Sequence, residues 1–215
     1  MPSGKAPLRE ALGNLSVSRE TISDLRSFAA DVIHWTSRIN LIGATTEEDL
    51  WTRHILDSAQ ILAMAPQGAK TWCDIGSGGG FPAIVLAILA RDERPDLRFS
   101  MIESDRRKGA FLRLEIAKFR LNAVVIGTRC EMTQPLVADV VSARALAPLP
   151  NALPWIHRHL APEGVALLHK GRNFVQEISD AQETWSFDVE CEVSMIESDA
   201  RILKMRAIEQ KKAGR

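Results

Sequence analysis

The apolar positions near the start of the chain follow a helical period. After Ser18, apolar residues recur every three or four positions and would form one buried stripe on a helix: Ile22, Leu25, Phe28, Val32, Trp35 and Ile39. Residues 40–43 break this pattern, and Thr46 then has the character of an N-cap, with acidic residues directly after it. A second helix is predicted from there to about Met64, so residues 1–65 are expected to form an N-terminal helical extension.

From Lys70 onward, short apolar runs alternate with longer amphipathic ones. The runs predict strands at residues 71–75, 98–102, 123–126, 139–143, 165–169, 187–193 and 202–208. Helices are predicted at residues 82–90, 106–119, 148–159 and 173–184, with a turn at 161–164. This alternation predicts an α/β domain over residues 66–215, built on a mainly parallel sheet covered on both faces. The last two strands have no helical crossover between them, so an antiparallel ending is expected.

Composition and cysteine usage narrow the class of protein. The chain has 215 residues, of which 46% are hydrophobic and 25% are charged, as in a globular domain with its own core. No apolar run reaches the roughly 18 residues of a membrane span, and the start has no apolar leader. Cys73, Cys130 and Cys191 are odd in number and widely spaced, which suggests neither a disulfide framework nor a metal site. We therefore expect a cytoplasmic protein without membrane or metal partners.

Charge is balanced overall but unevenly placed. The chain has 27 basic and 27 acidic residues, so its net charge makes no case for a nucleic-acid partner. Residues 105–120 nevertheless contain six basic side chains against two acidic ones, and residues 201–215 contain six against one. These segments could contact phosphates, or they could simply be solvated helix faces and a charged tail.

The segment 72–82 is the most informative part of the sequence. An apolar strand ends in Asp74, and four of the next six residues are glycine. A proline, Pro82, then stands at the first position of an apolar helix. Glycines permit positive φ and lack a Cβ, so a ligand can lie directly against the backbone. In an open parallel sheet, such a strand-to-helix turn is the crevice where nucleotide-like ligands bind.

The spacing of the glycines distinguishes between ligand classes. A dinucleotide fingerprint starting at Gly76 would need glycine where Phe81 stands, and the Gly-Lys-Ser/Thr of a P-loop is absent. The order Asp-x-Gly-x-Gly-x-Gly resembles the first motif of Rossmann-like S-adenosylmethionine methyltransferases. In such enzymes an acid at the end of the second strand holds the ribose hydroxyls, and Glu103 stands there. A glycine turn without a ligand and a different nucleotide site remain the alternatives.

The sequence also limits the methyl acceptor. Methylation at carbon-5 of a pyrimidine uses a cysteine, usually in Pro-Cys, which does not occur here. Exocyclic amines are commonly held by Asn/Asp-Pro-Pro-Tyr after the fourth strand, but residues 139–144 read Asp-Val-Val-Ser-Ala-Arg and the chain has no tyrosine. A ring nitrogen with a free lone pair, such as guanine N7, has no proton to remove. It would suit a site without an obvious base.

Several segments match one family in order and cover most of the span 39–171. They are 74–82, Asn40-Leu41, Arg53-His54-Ile55-Leu56-Asp57-Ser58, Glu103-Ser104 with Lys108 and Phe111-Leu112, Arg129-Cys130-Glu131, Ser142-x-Arg144-Ala145, and Lys170-Gly171. The chain thereby resembles the bacterial small-subunit (16S) ribosomal RNA guanine-N7 methyltransferases, formerly called glucose-inhibited division protein B. One departure is Ala83, where the family usually has glycine, and we expect tighter packing there without loss of the cofactor.

The resemblance implies an activity and a set of site residues. It implies a monomeric enzyme that transfers a methyl group from S-adenosyl-L-methionine to N7 of one guanine in 16S rRNA, in naked RNA or an assembling small subunit. With the glycine turn, it places the cofactor against Gly76, Gly78, Phe81, Glu103, Cys130, Glu131 and Arg144, with Cys130 contacting through its backbone. Substrate contacts are expected from Arg53, His54, Arg144, Lys170 and Arg172, and no acid or base catalyst is assigned.

Structural explanations compete at several of these positions. Arg53 with Asp57, and His54 with Ser58, are four residues apart on one helix and could form internal pairs. Glu131 could ion-pair with Arg129 instead of contacting a cofactor. At the level of function, the alternatives are an S-adenosylmethionine methyltransferase acting on a small molecule or protein, and a non-catalytic RNA-binding factor.

Overall fold

The computed structural model describes residues 17–43 and 46–212. The helices are α1 (Arg19–Ile39), α2 (Glu47–Leu50), α3 (Asp57–Ala59), α4 (Ala83–Glu93), α5 (Arg106–Phe119), α6 (Leu149–His159) and α7 (Phe174–Gln182). A π-helix, Trp51–Leu56, joins α2 to α3, and a 3-10 turn covers Cys130–Met132. The strands are β1 (Thr71–Ile75), β2 (Arg98–Ile102), β3 (Ala123–Ile126), β4 (Ala138–Arg144), β5 (Leu160–Lys170), β6 (Trp185–Val193) and β7 (Arg201–Gln210).

In the described part of the chain, seven strands form one sheet in the order β3-β2-β1-β4-β5-β7-β6. Strands β1 to β5 pair in parallel, whereas β7 is antiparallel to both β5 and β6. The predicted fold class, a mainly parallel sheet with an antiparallel ending, is therefore confirmed. The strand order reverses between β1 and β4, and ligands of open α/β sheets bind at the carboxyl ends of the strands beside such a reversal.

Helix α1 packs against the sheet domain. Ser18 caps it by accepting a hydrogen bond from the backbone N–H of Thr21 at 3.0 Å. Its apolar stripe is buried from Ile22 to Val32 and partly buried at Trp35 and Ile39, and the Phe28 ring lies 5.3 Å from the Phe81 ring and 6.3 Å from the Phe111 ring. The buried residues of α1 thus belong to the same core as α4 and β1. A division of the chain at residue 65 stays a prediction, and residues 1–16 and 213–215 lie outside the described residues.

Helix α4 is surrounded by core on every side, since all residues from Ala83 to Ala90 are buried. Pro82 is the N-cap of this helix, so the predicted placement of Pro82 at the first helical position is one residue too early. None of the described helices combines the length and the apolar character that crossing a membrane would require.

Two predicted boundaries are wrong for reasons outside the local sequence. The turn expected at 161–164 lies inside β5, where Leu160 pairs with Ala138 and Val165 pairs with Val140 across an irregularity. A Cβ at Gly164 would come within 3.0 Å of the Ala138 carbonyl oxygen, so only glycine lets this excursion pack against β4.

The helix expected to reach Met64 ends at Ala59. The Asp57 carbonyl, which would accept from Ile61 in a continuing α-helix, instead accepts from the Gln60 side-chain amide at 3.0 Å and from His169 Nε2 at 2.9 Å. The chain then continues in tight turns, with Leu62 N–H donating to the Ala59 carbonyl.

Candidate active site

The glycine turn between β1 and α4 has the backbone that its sequence predicts. Gly76, Gly78 and Gly80 have φ of 73°, 54° and 91°, in the left-handed region that favours glycine. A Cβ at Gly78 would meet no protein atom closer than the Gly76 carbonyl oxygen at 3.7 Å. The protein's own packing therefore leaves room for a side chain at Gly78. The bare backbone there faces open space that a ligand can use.

Glu103 follows β2 and is fixed beside this turn. One carboxylate oxygen accepts a hydrogen bond from Gly78 N–H at 2.8 Å, and the other accepts from Asp105 N–H at 2.7 Å. Glu103 is only 9% exposed, so these two backbone donors hold its carboxylate in one orientation. Each carboxylate oxygen can accept a second hydrogen bond. Glu103 is thus arranged to accept from two neighbouring hydroxyl groups.

Asp74, at the end of β1, has one carboxylate oxygen without a partner. Its Oδ1 accepts from the Ser142 hydroxyl at 2.6 Å, whereas its buried Oδ2 has no hydrogen-bond partner among the described residues. Burial raises the pKa of Asp74 to about 6, although the Ser142 hydrogen bond opposes this shift. A buried carboxylate with an unused oxygen beside a glycine turn suits a ligand that carries positive charge.

The loop after β4 bounds the space in front of the turn. A Cβ added at Gly76 would lie 2.8 Å from Leu146 Cδ1. Ala145, which precedes Leu146, has φ of 51°, in the left-handed region that few non-glycine residues adopt. Leu146 was not predicted as a site residue. It follows directly on the Ser-x-Arg-Ala match, which is the signal that could have indicated it.

Arg144, the last residue of β4, links the glycine turn to the π-helix. Its guanidinium lies over the Phe81 ring, 5.5 Å from the centroid. The same group donates to Asp57 Oδ2 at 3.2 Å, to the Arg53 carbonyl at 3.0 Å, and to His54 Nδ1. The structure therefore brings together four residues that the sequence assigned to cofactor or substrate: Arg53, His54, Phe81 and Arg144.

His54 is held as a neutral acceptor. Burial and the neighbouring charge of Arg144 lower the pKa of His54 to about 4. Because a guanidinium can only donate, Nδ1 of His54 must accept from Arg144 and carries no proton. The alternative of a His54–Ser58 pair does not apply, since the buried Ser58 hydroxyl has no partner among the described residues. A π-helix at this position is typical of functional sites.

Asp57 connects several parts of the chain and was not predicted as a site residue. Its Oδ2 pairs with Arg144, and the ion pair with Arg53 that was the alternative is not found among the described residues. Its Oδ1 accepts from the Gln60 amide at 2.7 Å, and its carbonyl accepts from His169 at the end of β5. The signal that could have identified it is its place in the Arg-His-x-x-Asp-Ser match. Arg144 and His169 lie too far along the chain for local spacing to reveal their contacts with Asp57.

Beside Arg144 lies a cleft of about 360 Å³, here called the basic cleft. Four cationic side chains line it: Arg53, Arg144, Lys170 and Arg201. The ammonium group of Lys170 donates to the Ala147 carbonyl at 2.7 Å and pairs with Glu177 at 2.8 Å, so it is fixed by the protein itself. Arg172 is exposed and does not line the cleft. One wall is the loop between β6 and β7, which the sequence did not indicate.

Cys130 and Glu131 follow β3 at the same edge of the sheet as Glu103. Cys130 is 8% exposed, and its carbonyl accepts from His159 Nε2 at 2.9 Å. Glu131 pairs with Arg129 at 2.7 Å, and this hydrogen-bonded ion pair lowers the pKa of Glu131 to about 2. The ion pair anticipated as an alternative is therefore present. A cofactor contact from Cys130 and Glu131 stays a prediction.

Comparison with known proteins places this arrangement in a family. The sequence pattern of the family described as rRNA small subunit methyltransferase G matches residues 21–205. The chain belongs to this family. The proteins named ribosomal RNA small subunit methyltransferase G from Cereibacter sphaeroides and Paracoccus denitrificans are 45% and 46% identical to it, over 197 and 195 residues. These alignments cover 92% and 90% of this chain and 96% and 98% of the relatives.

Solved structures show the same fold at low sequence identity. An O-methyltransferase from Bacillus cereus in complex with SAH aligns with TM-score 0.57 and 18% identity, covering 84% of this chain and 90% of that chain. TYW2 from M. jannaschii in complex with AdoMet aligns with TM-score 0.55 and 16% identity, covering 74% and 76%. The predicted class I methyltransferase fold is thereby confirmed. The prediction of S-adenosylmethionine as cofactor agrees with it.

Proposed function

We propose that this protein transfers the methyl group of S-adenosyl-L-methionine to N7 of one guanine in 16S rRNA. The observation that carries the proposal is the position of Arg144. Its guanidinium contacts Phe81 of the glycine turn on one side and lines the basic cleft on the other. A cofactor site and an acceptor site would meet at such a residue, and the named relatives are ribosomal RNA methyltransferases.

The residues around the glycine turn fit the cofactor by charge and shape. Gly78 offers backbone with open space in front of it, and Glu103 offers two fixed oxygens for the ribose hydroxyls. The unpartnered Oδ2 of Asp74 suits the positively charged end of the molecule. When bound there, S-adenosylmethionine supplies a methyl group already activated by its sulfonium. The family resemblance adds Phe81, Cys130, Glu131 and Arg144 to this set.

The acceptor chemistry agrees with the state of the histidines in the cleft. Nδ1 of His54 is occupied by Arg144, and Nε2 of His169 donates to the Asp57 carbonyl. The unprotonated nitrogen of His169, Nδ1, is buried, so neither ring presents an accessible lone pair as a base. Attack by the N7 lone pair on a methyl group leaves a cationic 7-methylguanine, and no proton has to depart in that step. Catalysis can then rest on positioning the base in line with the methyl group.

The RNA backbone would meet the cations around the cleft. Arg53 lines the cleft and Arg172 is exposed just beyond β5, so both can approach phosphates, while Lys170 is anchored by Glu177. Binding through phosphate contacts releases counterions and should weaken steeply with added salt. The proposal includes a monomeric enzyme working in the cytoplasm on naked RNA or an assembling small subunit. Sedimentation of the purified protein tests the monomeric state.

Methyl transfer followed by nucleoside analysis tests the function. Purified protein is incubated with S-adenosylmethionine carrying a labelled methyl group and with unmethylated 16S rRNA or small subunits. Digestion and mass spectrometry should recover the label as 7-methylguanosine from one position. A different methylated nucleoside would contradict the proposed acceptor. Label on a small molecule or protein, with RNA unlabelled, would support the alternative that the zero net charge of the chain favours.

A further inference from the structure

One acidic side chain in the basic cleft has no partner. Both carboxylate oxygens of Asp57 are used, by Gln60 and by Arg144. Glu197, in the loop between β6 and β7, also lines the cleft. Its exposed carboxylate makes no hydrogen bond or salt bridge with any residue in the described part of the chain. It does lie close enough to Arg144 for its charge to raise the pKa of that residue, against the larger effect of burial.

The loop that carries Glu197 is held in one conformation. The Ser194 hydroxyl accepts hydrogen bonds from the backbone N–H groups of Ile196 at 3.1 Å and Glu197 at 3.3 Å. Met195 N–H donates to the Gln60 side chain at 3.0 Å, which ties the loop to the segment after the π-helix. An anchored backbone therefore presents Glu197 to the cleft. Binding a ligand there would cost the conformational entropy of one side chain and little of the backbone's.

A carboxylate has a specific complement among the nucleobases. Guanine presents two adjacent donors on its Watson–Crick edge, the ring N1–H and the 2-amino group, which a carboxylate can accept together. Adenine and cytosine present an unprotonated ring nitrogen at the corresponding position, whose lone pair repels a carboxylate. N7 of guanine lies on the opposite side of the purine from this donor pair. A guanine held at Glu197 by its Watson–Crick edge would turn N7 away from the loop, toward Arg144 and the glycine turn.

We propose that Glu197 is the residue that selects guanine, by accepting hydrogen bonds from N1–H and the 2-amino group of the base in the basic cleft. This inference rests on the proposed function and assigns the recognition step within it. It also explains an otherwise unused negative charge among four cations. Bases read on this edge must leave their own pairing partner, so the target guanine enters the cleft unpaired.

Inosine provides the test, because it lacks only the 2-amino group. Synthetic RNA carries guanine or inosine at the position that nucleoside mapping identifies, and kcat/KM is measured for both. The wild-type protein should prefer guanine by about 10-fold to 100-fold, the range for one good polar contact to a base. Glu197→Ala should lower kcat/KM more for guanine than for inosine, until both RNAs are methylated equally well, because it removes the acceptor of both N1–H and the 2-amino group. The calorimetric affinity for S-adenosylmethionine should stay unchanged. Glu192→Ala, an exposed carboxylate outside the cleft, should retain the wild-type preference.

The outcomes separate this inference from the function on which it rests. Persistent discrimination between guanine and inosine in Glu197→Ala would overturn it, and so would an equal loss on both RNAs. In either case methylation of guanine by the wild-type protein would leave the proposed function standing. If the wild-type protein methylated no guanine at all, the proposed function would fail and the inference with it.

Discussion

At Gly78, a substitution can distinguish a requirement of the fold from a requirement of ligand binding. Because the protein leaves space at this position, Gly78→Ala should fold, at a cost of about 1–2 kcal/mol for a left-handed non-glycine residue. The added methyl group would occupy ligand space, so we expect the affinity for S-adenosylmethionine to fall at least about tenfold.

Calorimetric titration measures this affinity, and thermal unfolding verifies the fold. Gly68→Ala is the control, since a Cβ there meets no atom within 4 Å and Gly68 lies away from the turn. Equal affinities for Gly78→Ala and the wild-type protein would show that no ligand approaches this backbone.

Asp74 should make cofactor binding depend on pH. Burial raises its pKa to about 6 from the ordinary value of 3.8, so the side chain is protonated below that pH and ionised above it. Only the ionised form attracts a positively charged ligand group. Affinity should therefore decrease as the pH falls through about 6 and level off above it. Titrations at about pH 5 and about pH 7.5 measure the change. If Asp74→Asn lost affinity over this range as steeply as the wild-type protein, another group would be responsible.

The positions of individual candidate residues were predictable where the signal was local. The glycine turn and Glu103 could be assigned because each directly follows a predicted strand, and their mutual hydrogen bond follows from the parallel pairing of β1 with β2. The partner of Asp57 could not be assigned this way. Arg144 is 87 residues distant along the chain. Arg53, by contrast, precedes Asp57 by one helical turn, the spacing at which side chains on a helix commonly form ion pairs.

A partly buried ion pair joins the start of α3, directly after the π-helix, to the end of β4. Asp57 and Arg144 are each 17% exposed, so removing either partner leaves a poorly solvated charge. A double-mutant cycle with Asp57→Ala and Arg144→Ala, measured by urea unfolding, should give a coupling free energy of about 2 kcal/mol. The exposed pair Lys70–Asp96, at 65% and 79%, should give about 0.5 kcal/mol or less in the same cycle.

Indistinguishable coupling free energies for the two pairs would contradict this role of the Asp57–Arg144 ion pair.

At the scale of elements, the sequence predicted the first three strands to the residue, because short apolar runs bounded by turns are a local signal. It could not predict the π-helix. The end of the helix at Ala59 depends on His169 and Gln60 competing for the Asp57 carbonyl, and the His169 contact forms only in the folded molecule.

Over the whole molecule, helix α1 and the sheet share one core, with Phe28 at the contact. Phe28 is fully buried against Phe81 and Phe111, so Phe28→Ala should lower the free energy of unfolding by about 3–5 kcal/mol. Ile33→Ala, on the same helix but 38% exposed, should cost less than about 1 kcal/mol. Urea unfolding followed by circular dichroism should show one transition in both variants. A separate early transition in Phe28→Ala would instead indicate that the N-terminal helices form an independent unit.

The alternating pattern predicted the architecture of the molecule because a parallel sheet with helical crossovers is one of few ways to bury such runs. The basic cleft was beyond this kind of inference. Its walls come from the π-helix, the ends of β4 and β5, and the loop after β6, which meet only once the sheet is complete.

A crystal structure with S-adenosylhomocysteine tests most directly whether a nucleoside lies on the glycine turn with its ribose held by Glu103. We expect the ribose hydroxyls within hydrogen-bond distance of both Glu103 oxygens, and the amino-acid end of the molecule along Gly76–Gly78. Density for the compound anywhere else, with Leu146 still packed against Gly76 and the Glu103 carboxylate bonded only to Gly78 and Asp105, would contradict the proposed site.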